Sequence, residues 1–192
     1  MNDPTRRESL VFGLLLLLAV AGRWAEPTWN FTPLAAVTAF GGYYFRNWWP
    51  AVLLPVTTLA ISDLLLPAHD NVPVMIAVHL MMVVPLLLGR AANAGSTRRR
   101  LVCWGMCGFV PATAFFLVTN FAVWAFQGSG PVTYPMSWAG LMTCYGRGLP
   151  FYRTMLAGDL FYFTALAGSL VLAHWLSAQG AQRQVAKASS AA

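Results

Sequence analysis

Residues 31–49 read FTPLAAVTAFGGYYFRNWW, and whether this stretch crosses a membrane decides how the rest of the chain is arranged. Pro33 suits the first position of a helix, where a missing N–H costs nothing. Leu34–Phe45 is apolar but short. As a helix it reaches only about 18 Å, against roughly 30 Å of hydrocarbon. The segment therefore tilts, borrows its flanks from Phe31 to Trp49, or re-enters without crossing. The basic residues choose among these. If the segment crosses, Arg46 lies inside, Trp48–Leu66 runs outward, and the base-free loop Pro67–Pro73 is outside. Val74–Leu88 then returns, Arg90 and Arg98–Arg100 are inside, Leu101–Phe126 runs outward, and Thr154–Leu176 carries Arg183 and Lys187 back inside. If it only re-enters, the arginine triplet lands outside, against the tendency of Lys and Arg to stay on the cytoplasmic side.

The chain is accordingly read as an all-α membrane protein. The expected architecture is a bundle of about six transmembrane helices, with cytoplasmic termini and a structured outer loop between the last two spans. Residues 1–9 form a polar lead, 10–178 a single transmembrane domain, and 179–192 a small polar tail expected to be disordered. Leu10–Ala21 is one apolar run. Ala19-Val20-Ala21 also fits a signal-peptide cleavage site, but retention as a first span is preferred because the rest of the chain is equally apolar. Within the outer loop, Pro135–Tyr145 is apolar enough to dip into the membrane as a short helix.

Composition agrees. Of 192 residues, 58% are hydrophobic and 9% charged, too little charge to coat a water-soluble globule, which carries about 25%. The net charge of +6 sits at segment ends, so it marks topology and not a nucleic-acid footprint. The expected setting is the bacterial cytoplasmic membrane. The three cysteines make no disulfide framework, and no zinc-ligand spacing, phosphate loop or nucleophile elbow occurs. No cofactor and no metal site is expected. Three spans contain proline, Pro55, Pro85 and Pro111. Each removes a backbone donor and kinks its helix, and kinks of this kind can open a cavity.

The chemically diverse residues collect at the outer face. Thr119–Asp159 is the richest stretch, with Asn120, Trp124, Tyr134, Cys144, Tyr145, Arg147, Arg153 and Asp159. Glu26, Asn30, Asp63, His69 and Asp70 fall at the same face, whereas the inner face carries almost only arginines. Phe116, Asn120, Trp124 and Gln127 share one helix face. An amide between aromatic rings suits a flat solute, gripped by stacking and by hydrogen bonds at its edge. The same residues also serve as ordinary helix packing and an interfacial tryptophan. A carboxylate within a span costs about 2.5–3.5 kcal/mol to insert, so Asp63 and Asp159 should face the interior with partners. Arg153 or Arg147 supplies the charge, and Arg153–Asp159 is the expected structural ion pair. The expected ligand-binding set is Asn120, Trp124, Tyr145, Asp159, Asp63, Asn30 and Tyr134. His79 lies within the fourth span, where a hydrogen bond to a neighbouring helix is the plainer reading.

Asn30-Phe31-Thr32-Pro33 with Phe40-Gly41-Gly42, Ser62-Asp63, Thr119 to Trp124, Tyr134-Pro135, Gly140-Leu141, Cys144-Tyr145, Leu149-Pro150-Phe151 and Gly158-Asp159 resemble a family of small bacterial membrane proteins with a domain of unknown function. In size, span count and end orientation the chain is also similar to the substrate-binding S components of energy-coupling-factor vitamin transporters. That similarity implies uptake of a vitamin-like solute or precursor, bound near the outer face, with energy from a membrane partner subunit, since no ATP-binding motif is present. The expected partners are therefore the lipid bilayer, a small-molecule solute and an energising subunit, and no nucleic acid. A non-enzymatic role is preferred. Two alternatives stay open: a membrane scaffold or assembly subunit without a ligand, and an intramembrane acid–base enzyme using Asp63, His79 or Asp159, which requires two of these groups on one cavity.

Overall fold

The short stretch that decides the topology becomes the central helix. In the computed structural model, which describes residues 4–25, 28–66, 71–94, 96–127 and 133–190, with side chains described from Thr5 to Ser169 and for Gln179 within those ranges, there are eight helices and no strand among the described residues. They are α1 (Pro4–Trp24), α2 (Leu34–Tyr44), α3 (Trp48–Ser62), α4 (Val72–Met81), α5 (Val83–Asn93), α6 (Thr97–Cys107), α7 (Val110–Ala125) and α8 (Trp138–Ser190).

Helix α2 is buried along Leu34–Ala39 and again at Gly41 and Gly42. It touches α1, α3, α5, α6 and α8. Its small residues explain how one helix meets five others. A methyl group on Gly42 would strike the carbonyl oxygen of Leu86, and one on Gly89 would strike that of Ala39. The α2 and α5 backbones are therefore packed surface to surface, the small-residue mode of helix association. One core cluster joins Leu15 and Ala19 of α1 to Val37, Phe45, Ala51, Leu54 and Leu86. A second joins Ala35, Ala36 and Ala39 of α2 to Cys107 and Phe163.

The interior is made largely of alanine, glycine, threonine and cysteine, with Ala19, Ala36, Ala39, Ala51, Cys107 and Ala112 wholly buried. Phe45, Leu54 and Leu59 are buried among them, but many other large apolar side chains point outward: Leu14, Leu17, Leu53, Val56, Ile76, Leu87, Leu101 and Phe121 are all exposed.

Helices α4 and α5 continue through Met82 as one apolar rod of 22 residues, Val72–Asn93, long enough to cross a membrane. Helices α6 and α7 pass the same test together, bent by 44° at Gly108–Phe109. Thus, among the described residues, one helix, or two if the bent pair counts as one span, is long and apolar enough to cross by itself. Trp48–Ser62 is apolar but shorter. Pro111 explains the bend. Proline cannot donate to the carbonyl four residues back, that of Cys107, and its ring crowds that carbonyl, so α6 cannot run on into α7, whose first turn holds Pro111.

The loop expected over 127–153 is mostly helix. Helix α8 starts at Trp138 and lies antiparallel along α7, so Trp138–Arg153 is part of the last helix and not a connection. Gly140, Gly146, Gly148 and Pro150 suggest a bent chain to local propensity, but packing overrides it. Gly140 abuts the Pro135 carbonyl, so the lack of a Cβ there lets the chain turn into α8, and Gly148 abuts the Asn120 side chain, so there it lets α8 close on α7. At its far end α8 continues as helical backbone to Ser190, through the segment expected to be disordered.

Candidate functional site

Three local features meet near the end of the bundle where α1 and α3 finish. The first is an ion pair. Arg23, at the end of α1, donates from Nη1 to Asp63 Oδ1 at 2.9 Å and to the hydroxyl of Ser62. Trp24 Nε1 donates to the Ser62 carbonyl at 3.2 Å. The second is the connection from α1 to α2. Asn30 has φ 65°, a left-handed conformation that asparagine tolerates better than most residues. The turn it makes lays residues 29–32 on α8. Thr154 donates to the Trp29 carbonyl at 2.7 Å, Phe31 packs on Tyr162 with ring centres 5.5 Å apart, and Gly158 lets the Phe31 backbone approach. The third is the bend between α6 and α7, which brings the uncapped first turn of α7 against α8.

Asp159 stands where these features meet. It is only 3% exposed. Its carboxyl group lies against the Ala112 backbone in the first turn of α7, and its Oδ2 has no hydrogen-bond partner. The gap between the elements is a cavity of about 130 Å³, well beyond the ~10–15 Å³ that one water molecule needs. Arg23, Asn30, Thr32 and Asp159 are the polar part of its wall, and Leu59, Met81, Met82, Phe115 and Met155 much of the rest. A neighbouring cleft of about 170 Å³ shares Asn30, Phe115 and Met155 with it and adds Asn120, Gly148 and Tyr152.

The structure thus divides the residues expected to bind a ligand. Asn30 and Asp159 line the cavity, and Asn120 lines the adjoining cleft. Asp63 is one residue removed, holding Arg23 in the wall. Trp124, Tyr134 and Tyr145 line neither. Trp124 Nε1 donates to the Pro135 carbonyl at 3.0 Å, Gln127 bonds both the N–H and the carbonyl of Tyr134, and the Tyr145 hydroxyl donates to the Leu117 carbonyl at 2.9 Å. Asn120 itself donates to the Phe116 carbonyl at 2.8 Å.

The expected Arg153–Asp159 ion pair does not form. Six residues of helix turn a side chain by about 240°, so Arg153 is exposed while Asp159 is buried. The other candidate cation, Arg147, lies over the Tyr134 ring, 5.7 Å from its centre. The partner of Asp63 is Arg23, which sequence reasoning passed over. Its one local signal is its position: a base at the end of the first apolar run opposite to Arg6 and Arg7. Thr32, Phe115 and the three cavity methionines carry no local signal at all.

Asp63, His79 and Asp159 do not share a cavity. His79 Nδ1 lies 2.8 Å from the Met75 carbonyl and lines a separate apolar groove with Pro55 and Leu86. Among the described residues no group of His, Cys, Asp or Glu is arranged to hold a metal ion, and the three cysteines are free and buried. Glu26, His69 and Asp70, also placed at this end by the sequence, lie outside the described residues.

The sequence profile of a family of unknown function, DUF6580, matches residues 3–182, and the chain belongs to that family. No curated protein and no solved structure matches the chain.

Proposed function

We propose that this member of DUF6580 is a multi-pass protein of the bacterial cytoplasmic membrane that binds a small organic solute for uptake. In this reading α1, α2, α3, α4–α5, α6–α7 and α8 are six spans with both ends cytoplasmic. A core rich in small residues beneath many exposed large apolar side chains supports a lipid surround. The gathering of bases supports the orientation. Arg90 donates to the carbonyls of Phe45 and Arg46 and stacks on Trp48 at 3.9 Å, and Arg100 lies over Tyr43. The α2–α3 and α5–α6 turns therefore share one basic, aromatic-belted end, which suits a cytoplasmic interface.

The observation that carries solute binding is the cavity with its buried, half-unpartnered carboxyl at Asp159. A pocket lined mostly by apolar groups with a few convergent polar ones is the usual form of a small-molecule site. With no ATP-binding motif in the chain, energy comes from a partner subunit or transport is passive. The likeness to S components is one of architecture and enters here as analogy. The test is mass spectrometry of the purified full chain for a co-purifying solute, with thermal-shift screening of vitamins and precursors. Val78 on α4 also lines the cavity, and Val78→Phe, which fills it, should abolish any shift. A protein with no bound solute, no shift, and a stably co-purifying membrane partner favours the scaffold reading instead.

A further inference from the structure

Resting on that solute-binding reading, the charges around the cavity indicate what kind of solute it takes. Two ionisable side chains line the wall among the described residues, Arg23 and Asp159. The Arg23 guanidinium is already matched. It is bonded to Asp63 at 2.9 Å and to Ser62, and its side chain is only 14% exposed. Its charge and that of Asp63 cancel within the pair. Asp159 has no such partner. The nearest cation on its own helix, Arg153, is exposed on another face, and Oδ2 is buried without a hydrogen bond. The Ala112 backbone in the first turn of α7 lies against the carboxyl, and the positive end of a helix stabilises negative charge there. What the site lacks is a cation.

The rest of the wall narrows the class. Phe115 offers an aromatic face, and Met81, Met82 and Met155 offer polarizable apolar surface that adapts to different shapes. Asn30 and Thr32 are neutral hydrogen-bonding groups on the α1–α2 connection. Among the described residues a bare metal ion finds a single carboxylate in the wall and no cluster of further His, Cys, Asp or Glu ligands. We propose that the cavity binds a small organic cation, an ammonium group on an apolar body, with Asp159 as its counter-ion.

The experiment uses the full chain in detergent and two sets of near-isosteric probes that differ in charge: benzylamine, benzyl alcohol and benzoate, and butylamine, butanol and butyrate. Thermal stability and isothermal calorimetry read the binding. The amines should bind and stabilise, with the alcohols and carboxylates weaker. In Asp159→Asn, which keeps the shape and removes the charge, amine affinity should fall by about tenfold or more. Equal or tighter binding of the alcohol or carboxylate overturns the charge assignment and leaves the solute site standing. Amine binding that survives in Asp159→Asn overturns the role of Asp159. Failure of the amines together with the other probes overturns the organic-cation assignment, while the solute site itself stands or falls on the co-purification and thermal-shift screen described above. Because the comparison among probes is made on the wild-type chain, it stands even if Asp159→Asn does not fold.

Discussion

Arg23 and Asp63 are 40 positions apart in sequence and 2.9 Å apart in space, the guanidinium of one helix end closing on the carboxylate that ends another. The contact ties α1 to α3 and fixes the cavity wall at once, because Arg23 belongs to both. Its side chains are 14% and 26% exposed, between the surface regime, where ion pairs contribute little, and the buried regime, where an abandoned partner is costly.

Removing one member should therefore hurt more than removing both. Arg23→Gln and Asp63→Asn should each lower stability by about 1–3 kcal/mol. The double variant should lose clearly less than the sum. Thermal denaturation of the four proteins in one detergent checks this, and strict additivity would show that the pair is not coupled.

The α2–α5 crossing should be the least forgiving contact in the bundle. Gly42→Ala and Gly89→Ala each place a methyl group on a backbone carbonyl that cannot swing aside. Each should cost about 1–3 kcal/mol or more. Gly13→Ala and Gly105→Ala meet open space and should be neutral, or gain up to about 1 kcal/mol from better helix propensity. Equal effects at all four positions would contradict the close approach of α2 and α5.

Gly148 and Asn120 should behave as one unit. Gly148→Ala pushes on the Asn120 side chain and should loosen the α7–α8 hairpin. Asn120→Ala makes room and should rescue much of that loss when the two are combined. Melting temperatures of the singles and the double read the rescue. No rescue would mean that the added methyl group acts elsewhere.

Topology is testable with the native cysteines left in place, since Cys103, Cys107 and Cys144 are buried and should stay silent to a bulky maleimide. Asn47→Cys, between α2 and α3, should label only from the cytoplasmic side. Thr133→Cys, between α7 and α8, should label only from outside. Both positions are exposed. Labelling of both from one side would remove the six-span arrangement.

The helices themselves were largely legible. Pro33 and Leu34–Phe45 announced α2, Trp48 the start of α3, and Val74–Leu88 the core of the α4–α5 rod. The beginning of α8 was not, because Gly140, Gly148 and Pro150 read locally as a bend. The missing side chains of the two glycines instead make room for the Pro135 carbonyl just before α8 and for Asn120 of α7. Asp159 stood out in the sequence as a carboxyl within an apolar run, yet its expected partner was wrong. Nearness in sequence favoured Arg153, but the turn of the helix puts that side chain on another face.

By itself the sequence determined that this chain is helical, where most of its helices lie, and that its few charges gather at their ends, because apolar run length and charge position are properties of the chain alone. Only the tertiary structure decided which helix is central, that Arg23 closes on Asp63, and that Asp159, Asn30 and Phe115 line one cavity while Trp124 and Tyr145 spend their polar atoms on backbone carbonyls. The physical reason is that α2, α3, α4 and α7 are apolar on every side. With no polar stripe to mark an outer face, partners are chosen by how closely small residues let two backbones approach, and that is set by residues far apart in the chain.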